Sequence, residues 1–305
     1  MAERVMYCML KTLGDVVLST TIVREMRRDH PDWEIHFYVN RPYDGLLLNN
    51  PDIQEIHASN DFELNALFLE MASGRYPKVF APYQARPECN LWHQYEETRH
   101  QHLVDFYWRR IGMHRPITER ECYLYPSEED FKAAGNHITF DQPRIALHGT
   151  TNVPTKDWPF FDGLTEELRK AGYCAVQVGV QTDRKIAGAI DLRGKMGLLE
   201  LAAFLSRCAA FVGLDSGISY IADAMKIPTI VIQGSTNPVT SGPISERVVH
   251  LFAKETGYQD CQEIRCHMNC RHEVNCNTKI TVPMVLDRLE PILAQWSRPI
   301  GVVVE

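Results

Sequence analysis

The strongest constraint on the fold is the way the chain opens. An almost unbroken apolar run from Val5 to Leu10 leads into the short loop Lys11-Thr12-Leu13-Gly14-Asp15, and Val16, Val17, Thr20, Val23 and Met26 then follow at helical spacing. A strand without polar alternation is covered on both faces, which is the habit of parallel sheets flanked by helices. Ile35, Phe37 and Val39 alternate with polar or aromatic neighbours, Asn49-Asn50-Pro51-Asp52 makes a turn, and Lys78 to Ala81 reads as another short buried strand. The pattern is α/β of parallel type. From Pro82 to Gly112 Pro, Arg, His, Trp and Tyr are dense, and Leu103, Phe106, Tyr107, Arg110 and Ile111 predict a helix. The stretch Pro126 to Pro143 is more polar and carries no strong period, so a domain boundary is expected near Asp141.

The same rhythm restarts in the second half. Strands are expected over Arg144 to Leu147, Tyr173 to Val178, Ala210 to Gly213 and Thr229 to Ile232. Helices are expected over Phe160 to Ala171, along the stripe Leu198, Leu201, Ala202, Leu205 and Cys208, and over Gly217 to Met225. Two doubly wound α/β units in tandem face each other across a cleft. A last helix, with Thr281 as N-cap, carries Val282, Val285, Leu289, Leu293 and Trp296 on one stripe. The organisation expected is residues 1–141, 142–280, and a helix and tail over 281–305 that crosses back to the first unit.

A length of 305 residues fits two domains. With 32 Lys plus Arg against 39 Asp plus Glu, the formal charge of −7 gives no global attraction to polyphosphate, so nucleic acid is not an expected partner. No apolar run reaches the roughly 18 residues of a membrane span, and the N-terminus lacks the order of a signal peptide. The expectation is a cytoplasmic chain with at most peripheral membrane association.

Nine cysteines are many for such a compartment. Cys8, Cys89, Cys122, Cys174 and Cys208 are scattered, mostly in apolar stretches, and read as small buried hydrophobes. Cys261, Cys266, Cys270 and Cys276 fall within sixteen residues, where metal ligation is favoured over disulfides. The spacing lacks the usual C-x2-C knuckle but supplies four soft ligands for a structural zinc or iron, with His267 and His272 as spares. A plain reduced cysteine-rich loop is the alternative. Asp260, Glu263 and Glu273 surround Arg265 and Arg271, which leaves no basic face for nucleic acid.

Two phosphate-binding fingerprints are missing: neither G-x-G-x-x-G after the first strand nor G-x-x-x-x-G-K-[ST] occurs. In Gly213-Leu214-Asp215-Ser216-Gly217 the central place belongs to Asp215, whereas a nucleophile elbow needs Ser there. The string instead delivers Asp215 and Ser216 to a helix start, where unpaired N–H groups and the helix dipole favour an anion such as phosphate. A simple helix cap would use the same residues. The loops holding Thr150, Thr151 and Lys156, and Gly234-Ser235-Thr236-Asn237-Pro238, leave strand ends on the same edge, where open α/β sheets bind ligands.

The segments Leu13-Gly14-Asp15-Val16-Val17-Leu18-Ser19-Thr20-Thr21, Lys156-Asp157-Trp158-Pro159, Asp191-Leu192-Arg193-Gly194-Lys195, Asp215-Ser216-Gly217 and Gly234-Ser235-Thr236-Asn237-Pro238 resemble, in order and spacing, the heptosyltransferases of glycosyltransferase family nine. Asn49-Asn50-Pro51-Asp52-Ile53 resembles that family's text after its second strand. The resemblance implies the GT-B fold and inverting transfer of a heptose from ADP-heptose, mostly to a lipopolysaccharide core saccharide. Some relatives instead glycosylate autotransporter proteins and carry a cysteine-bound iron. The first unit would then hold the acceptor and the second the nucleotide sugar, with no catalytic cofactor.

The resemblance makes Asp15 the general base for the acceptor hydroxyl, a role a carboxylate at a strand-to-helix turn can fill. It makes Lys156 the group that neutralises the donor diphosphate as charge builds on the leaving ADP. Thr150 and Thr151 resemble phosphate-contacting threonines, with one extra residue before the lysine. Gln181 or Asp183, after Gly179, would reach the ribose hydroxyls, and Gly234, Ser235 and Thr236 would close the nucleotide pocket with Asp215, Ser216 and Gly217. Tyr220 departs from the pattern, standing where the family usually has a histidine. It can donate one hydrogen bond to a phosphate but cannot become cationic. A different nucleotide sugar, or a binding protein without turnover, is the alternative this raises. Arg86, Trp92, His93, Arg99, His100, His102 and Arg109, together with Lys11 beside the base, are the candidates for meeting the acceptor, since aromatic faces stack on sugars and Arg pairs with anionic groups.

Overall fold

The structure, a computed structural model, describes residues 3–60, 73–82, 101–138, 142–253 and 276–294. The first unit is a four-stranded parallel sheet of order β3-β2-β1-β4, built from β1 (Glu3–Met9), β2 (Trp33–Asn40), β3 (Glu55–Ser59) and β4 (Lys78–Phe80). Helix α1 (Leu13–Asp29) follows β1, and α2 (Leu103–Arg110) packs against it. The second unit is a six-stranded parallel sheet of order β10-β9-β8-β5-β6-β7. Its strands are β5 (Arg144–His148), β6 (Cys174–Gln177), β7 (Ile190–Asp191), β8 (Ala210–Leu214), β9 (Thr229–Gln233) and β10 (Val248–Phe252).

Period-2 alternation sets the two faces of this second sheet. Ile145, Leu147, Val212 and Leu214 point to a core shared with α4 (Phe161–Lys170) and α7 (Val282–Ala294). Ala146 and Phe211 point the other way, to α5 (Leu198–Leu205) and α6 (Gly217–Ala224). That is double winding in the literal sense, and it matches the expected α/β class. The second core is continuous with Val16, Val17, Ile22 and Phe37 of the first unit, so the two units share one apolar body rather than meeting through a wet seam.

The polar stretch 126–143 contains a helix, α3 (Glu128–Gly135), whose start is fixed by a reciprocal cap: Ser127 Oγ accepts from the Asp130 amide at 3.2 Å and Asp130 Oδ2 accepts from the Ser127 amide at 2.8 Å. It packs against α5, so the chain has already crossed to the second unit before residue 141. Over its described residues, 282–294, the last helix stays on the second unit. Its buried stripe, Val285, Leu289 and Leu293, packs against α4 and the second sheet, each side chain contributing about 1.5–3 kcal/mol by its burial. Trp296 and the tail lie outside the described residues. Among the described residues no helix is long and apolar enough to cross a membrane.

Candidate active site between two switch points

In each sheet the strand order reverses once. β1 lies between β2 and β4, and β5 between β6 and β8, so the crevices that open α/β sheets offer to ligands lie beyond the carboxyl ends of β1 and of β5 and β8. The loops leaving those ends carry Lys11 to Asp15, Gly149 to Lys156, and Asp215 to Gly217. Helices α1 and α6, which start there, pack against one another through a reciprocal contact. A Cβ on Gly14 would lie 2.9 Å from Tyr220 Cε2, and one on Gly217 would lie 2.5 Å from Leu13 Cγ. Each helix start is glycine where the other presents a side chain, and the two crevices are thereby held side by side.

Asp15 is half-buried at the third position of α1. Its Oδ2 accepts from the Thr12 amide at 3.1 Å and the Thr12 hydroxyl at 2.7 Å, and its Oδ1 accepts from the Tyr107 hydroxyl at 2.5 Å. A carboxylate has about four lone-pair sites, and these three bonds leave one. Burial lowers the pKa of the neighbouring Lys11, with the Asp15 charge pulling the other way.

Across the contact, the Lys156 ammonium donates to the backbone oxygen and to Oδ2 of Asp215, both at 3.1 Å. Burial alone would push the Asp215 carboxyl up, but Lys156, helped by Thr236 and His250, outweighs it and holds the group below its usual range. Ser241 and Tyr220 complete the carboxylate's surroundings, at 3.4 and 3.5 Å. Tyr220 is buried, its hydroxyl also accepting from the Gly242 amide at 2.8 Å, and burial raises its pKa well above the ordinary value. Neither Asp215 nor Ser216 caps α6 with its side chain. Ser216 Oγ turns instead to His148 Nδ1 at 3.0 Å, and His148 Nε2 meets Asp183 Oδ2 at 3.4 Å. No side chain of Asp215 or Ser216 therefore caps the first turn of α6, whose Ser219 amide bonds back to the Ser216 carbonyl at 3.1 Å.

The other expected donor residues divide. Thr151 is committed to its own loop, its amide and hydroxyl both reaching Asp157 Oδ1 at 3.0 and 3.2 Å, and Thr150 Oγ1 accepts from the Arg184 amide at 3.0 Å. Asp183 braces its turn by accepting from the Val180 amide at 2.9 Å, and Gln181 is exposed beside Gly194. Thr236 lies against Asp215, and Ser235 Oγ accepts from Thr155 at 3.2 Å, so the loop after β9 does meet the lysine loop. Gly234 has a steric reason: a Cβ there would collide with the Asn277 side chain.

Three residues missed from sequence complete the site. Tyr107 was legible only as part of a helix stripe. His148 is the last residue of β5, a position at a strand's carboxyl end that could have drawn notice. Asn277 is fully buried, and its Nδ2 donates to the carbonyls of Lys156 at 2.5 Å and of Thr155 and Asp157 at 3.3 Å. It fixes the backbone from which Lys156 reaches Asp215.

On the acceptor side, His102 is a buried tether. Its Nδ1 accepts from the Val104 amide at 3.2 Å, and its Nε2 pairs with the Gly242 carbonyl at 3.0 Å, so it caps α2 and binds that helix to the second unit. Burial, helped by Arg120, pushes its pKa down to about 4. Arg109 is exposed on α2. Arg86, Trp92, His93, Arg99 and His100 lie outside the described residues, as do Cys261, Cys266 and Cys270, whereas Cys276 is buried.

Two parallel Rossmann-like units with adjoining switch points define a protein of the GT-B class. The profile of glycosyltransferase family 9 (heptosyltransferase) matches residues 90–272, and the chain belongs to this family. It is 34% identical to lipopolysaccharide heptosyltransferase 3 of Escherichia coli K12 over 87% of this chain and 90% of that protein. It is 28% identical to lipopolysaccharide heptosyltransferase 1 of Pseudomonas aeruginosa, where the match spans only about half of each protein, 49% of this chain and 47% of that one. In three dimensions it is similar to the family 9 glycosyltransferase from Veillonella parvula, with a TM-score of 0.79 at 20% identity over 97% of this chain and 98% of that one.

Proposed function

We propose that this chain is an inverting glycosyltransferase that moves a sugar, specifically heptose from ADP-heptose, to a hydroxyl of a lipopolysaccharide-core-type saccharide. The observation that carries the reading is the junction of the two crevices: Asp15 on one side of the Gly14–Tyr220 contact, and Lys156 with the uncapped start of α6 on the other. The donor diphosphate would occupy the α6 end, where backbone amides face it and Lys156 is at hand. Departure of the nucleoside diphosphate builds negative charge there. The acceptor hydroxyl would take the remaining lone-pair site of Asp15, which removes its proton as the oxygen attacks the anomeric carbon from the opposite face. Tyr107 and Thr12 orient the carboxylate for that step. Support for heptose and ADP comes from the motif resemblance and from relatives named lipopolysaccharide heptosyltransferases. The four clustered cysteines suit a soft metal by their chemistry, and the reading assigns that metal no step in transfer.

The test is calorimetry of ADP-heptose, ADP, UDP-sugars and GDP-sugars on the wild type and Lys156→Ala, followed by transfer assays with core-saccharide and autotransporter-type protein acceptors. The proposal requires ADP-type binding that the substitution weakens, and transfer to the saccharide that Asp15→Asn abolishes. Preference for another nucleotide would assign Tyr220 to a change of donor. Transfer to protein alone would change the acceptor, and tight donor binding without turnover would identify a binding protein.

A further inference from the structure

The face of the first sheet away from α1 carries a second cluster that the reaction does not use. On β2, His36 is fully buried. On the adjacent edge strand β3, Glu55 is its register partner, and His57, two residues further, points to the same face. Tyr76, just before β4, reaches over to the same spot and is itself buried. His36 Nδ1 lies 3.2 Å from His57 Nε2 and 3.3 Å from Glu55 Oε2, and His57 Nε2 lies 3.4 Å from Glu55 Oε1. The Tyr76 hydroxyl lies 2.9 Å from His36 Nδ1 and 3.1 Å from His57 Nε2.

These separations have a geometric meaning. Four ligands bound tetrahedrally at about 2.0–2.1 Å stand roughly 3.3–3.4 Å apart along the edges. With Oε2 of Glu55 as its ligand atom, four of the six pairwise separations are given above and fall between 2.9 and 3.3 Å, and the other Glu55 oxygen lies 3.4 Å from His57. The second observation lies behind His36. Its outer nitrogen, Nε2, meets Glu34 Oε1 at 3.2 Å, and Glu34 is braced in turn by Arg4 at 3.3 Å. A carboxylate on the far nitrogen puts the ring proton there and turns the Nδ1 lone pair inward, which is the support metal-ligating histidines almost always have.

We propose that His36, His57 and Glu55, closed on the fourth side by Tyr76, form a binding site for a divalent transition metal of the zinc class. Imidazole and carboxylate donors suit such an ion better than calcium or magnesium. With every position filled by protein the ion is structural. It ties the edge strand β3 to β2 and to the segment entering β4, on the sheet face away from α1.

The test uses the full-length chain stripped with a chelator and titrated with cobalt(II) as a spectroscopic stand-in for zinc. The expected result is one equivalent of cobalt with nitrogen and oxygen ligand-field bands, separate from any cobalt on the cysteines, which is told apart by its thiolate charge transfer. His57→Gln should remove that equivalent, and Glu34→Gln should weaken it about 10- to 100-fold. Glu55→Gln, at a half-exposed position on the edge strand, serves if His57→Gln does not fold, as judged by near-UV circular dichroism. Cobalt bound only with thiolate character, no cobalt bound at all, or an isotherm unchanged in folded His57→Gln and Glu55→Gln would each overturn the proposal.

Discussion

The Tyr107 hydroxyl donates to Asp15 Oδ1 at 2.5 Å, from a helix 92 residues further along the chain. The bond fixes which lone pair of the carboxylate faces the crevice. Hydrogen bonds to charged groups are worth about 1.5–3 kcal/mol. If that stabilisation is felt in the transition state, Tyr107→Phe lowers kcat roughly 10- to 100-fold, since about 1.4 kcal/mol is tenfold in rate. Donor KM stays put, because the bond acts on Asp15. Steady-state kinetics with both substrates varied checks the split, and a rise in donor KM instead would refute the positioning role.

Lys156 neutralises a buried partner, so its removal has two effects that can be separated. Lys156→Ala leaves the Asp215 carboxylate buried without its cation, which costs about 3–5 kcal/mol of stability as well as donor affinity. Pairing Lys156→Met with Asp215→Asn should restore most of the stability, read by urea unfolding, while calorimetry still finds donor binding weakened. Recovery of binding in the double variant would show that the lysine serves the fold alone.

Asn277 and Gly234 should be coupled. Asn277→Ala removes the donor that holds the carbonyls of Thr155, Lys156 and Asp157, costing about 1–3 kcal/mol for the groups left unsatisfied. Gly234→Ala forces a methyl into the Asn277 side chain and is expected to destabilise by a similar amount. In the Asn277→Ala background the methyl meets space, so the second substitution should cost less than it does alone. Additive losses in a double-mutant cycle would argue against the contact.

His102 predicts an acid-sensitive joint between the units. Its pKa falls from 6.5 to about 4 in the folded protein, so the neutral ring fits and the unfolded chain takes up a proton first as pH drops. The stability this confers is complete above pH 6.5 and is lost as pH falls from there towards 4, about 3 kcal/mol in all. Urea midpoints between pH 7 and 4.5 should fall more steeply for the wild type than for His102→Gln. Parallel curves would remove His102 as the cause.

Much of the scaffold was readable because β1, β5, β8 and β9 are covered on both faces and announce themselves as apolar runs. The edge strands β3 and β10 were not, although β4, also an edge, was read from Lys78 to Ala81. β3 reads Glu55-Ile56-His57-Ala58-Ser59 and β10 reads Val248-Val249-His250-Leu251-Phe252, and a strand with one free side tolerates polar residues that break the pattern. α3 was hidden because Phe131 and Ala134 are too few apolar residues to make a period, although its Ser127–Asp130 cap was written in the sequence. In the site, Asp15, Lys156 and Asp215 follow strand ends, where position alone implies a role. Tyr107, His148 and Asn277 act on partners 92, 68 and 121 residues away, and no local pattern encodes such distances.

The paired glycines at the starts of α1 and α6 also govern how the molecule can move. Leu13 seated on Gly217 and Tyr220 seated on Gly14 interlock the helix ends, so sliding one unit past the other would drive a side chain into backbone. Rocking about the contact is opposed as well, by the shared apolar body and by His102 holding α2 to the second unit. Asp15 follows Gly14 directly in the chain, and Lys156 bonds Asp215 two residues before Gly217, so both charged groups sit next to the interlocked glycines. The two charged groups are therefore held at a nearly constant separation.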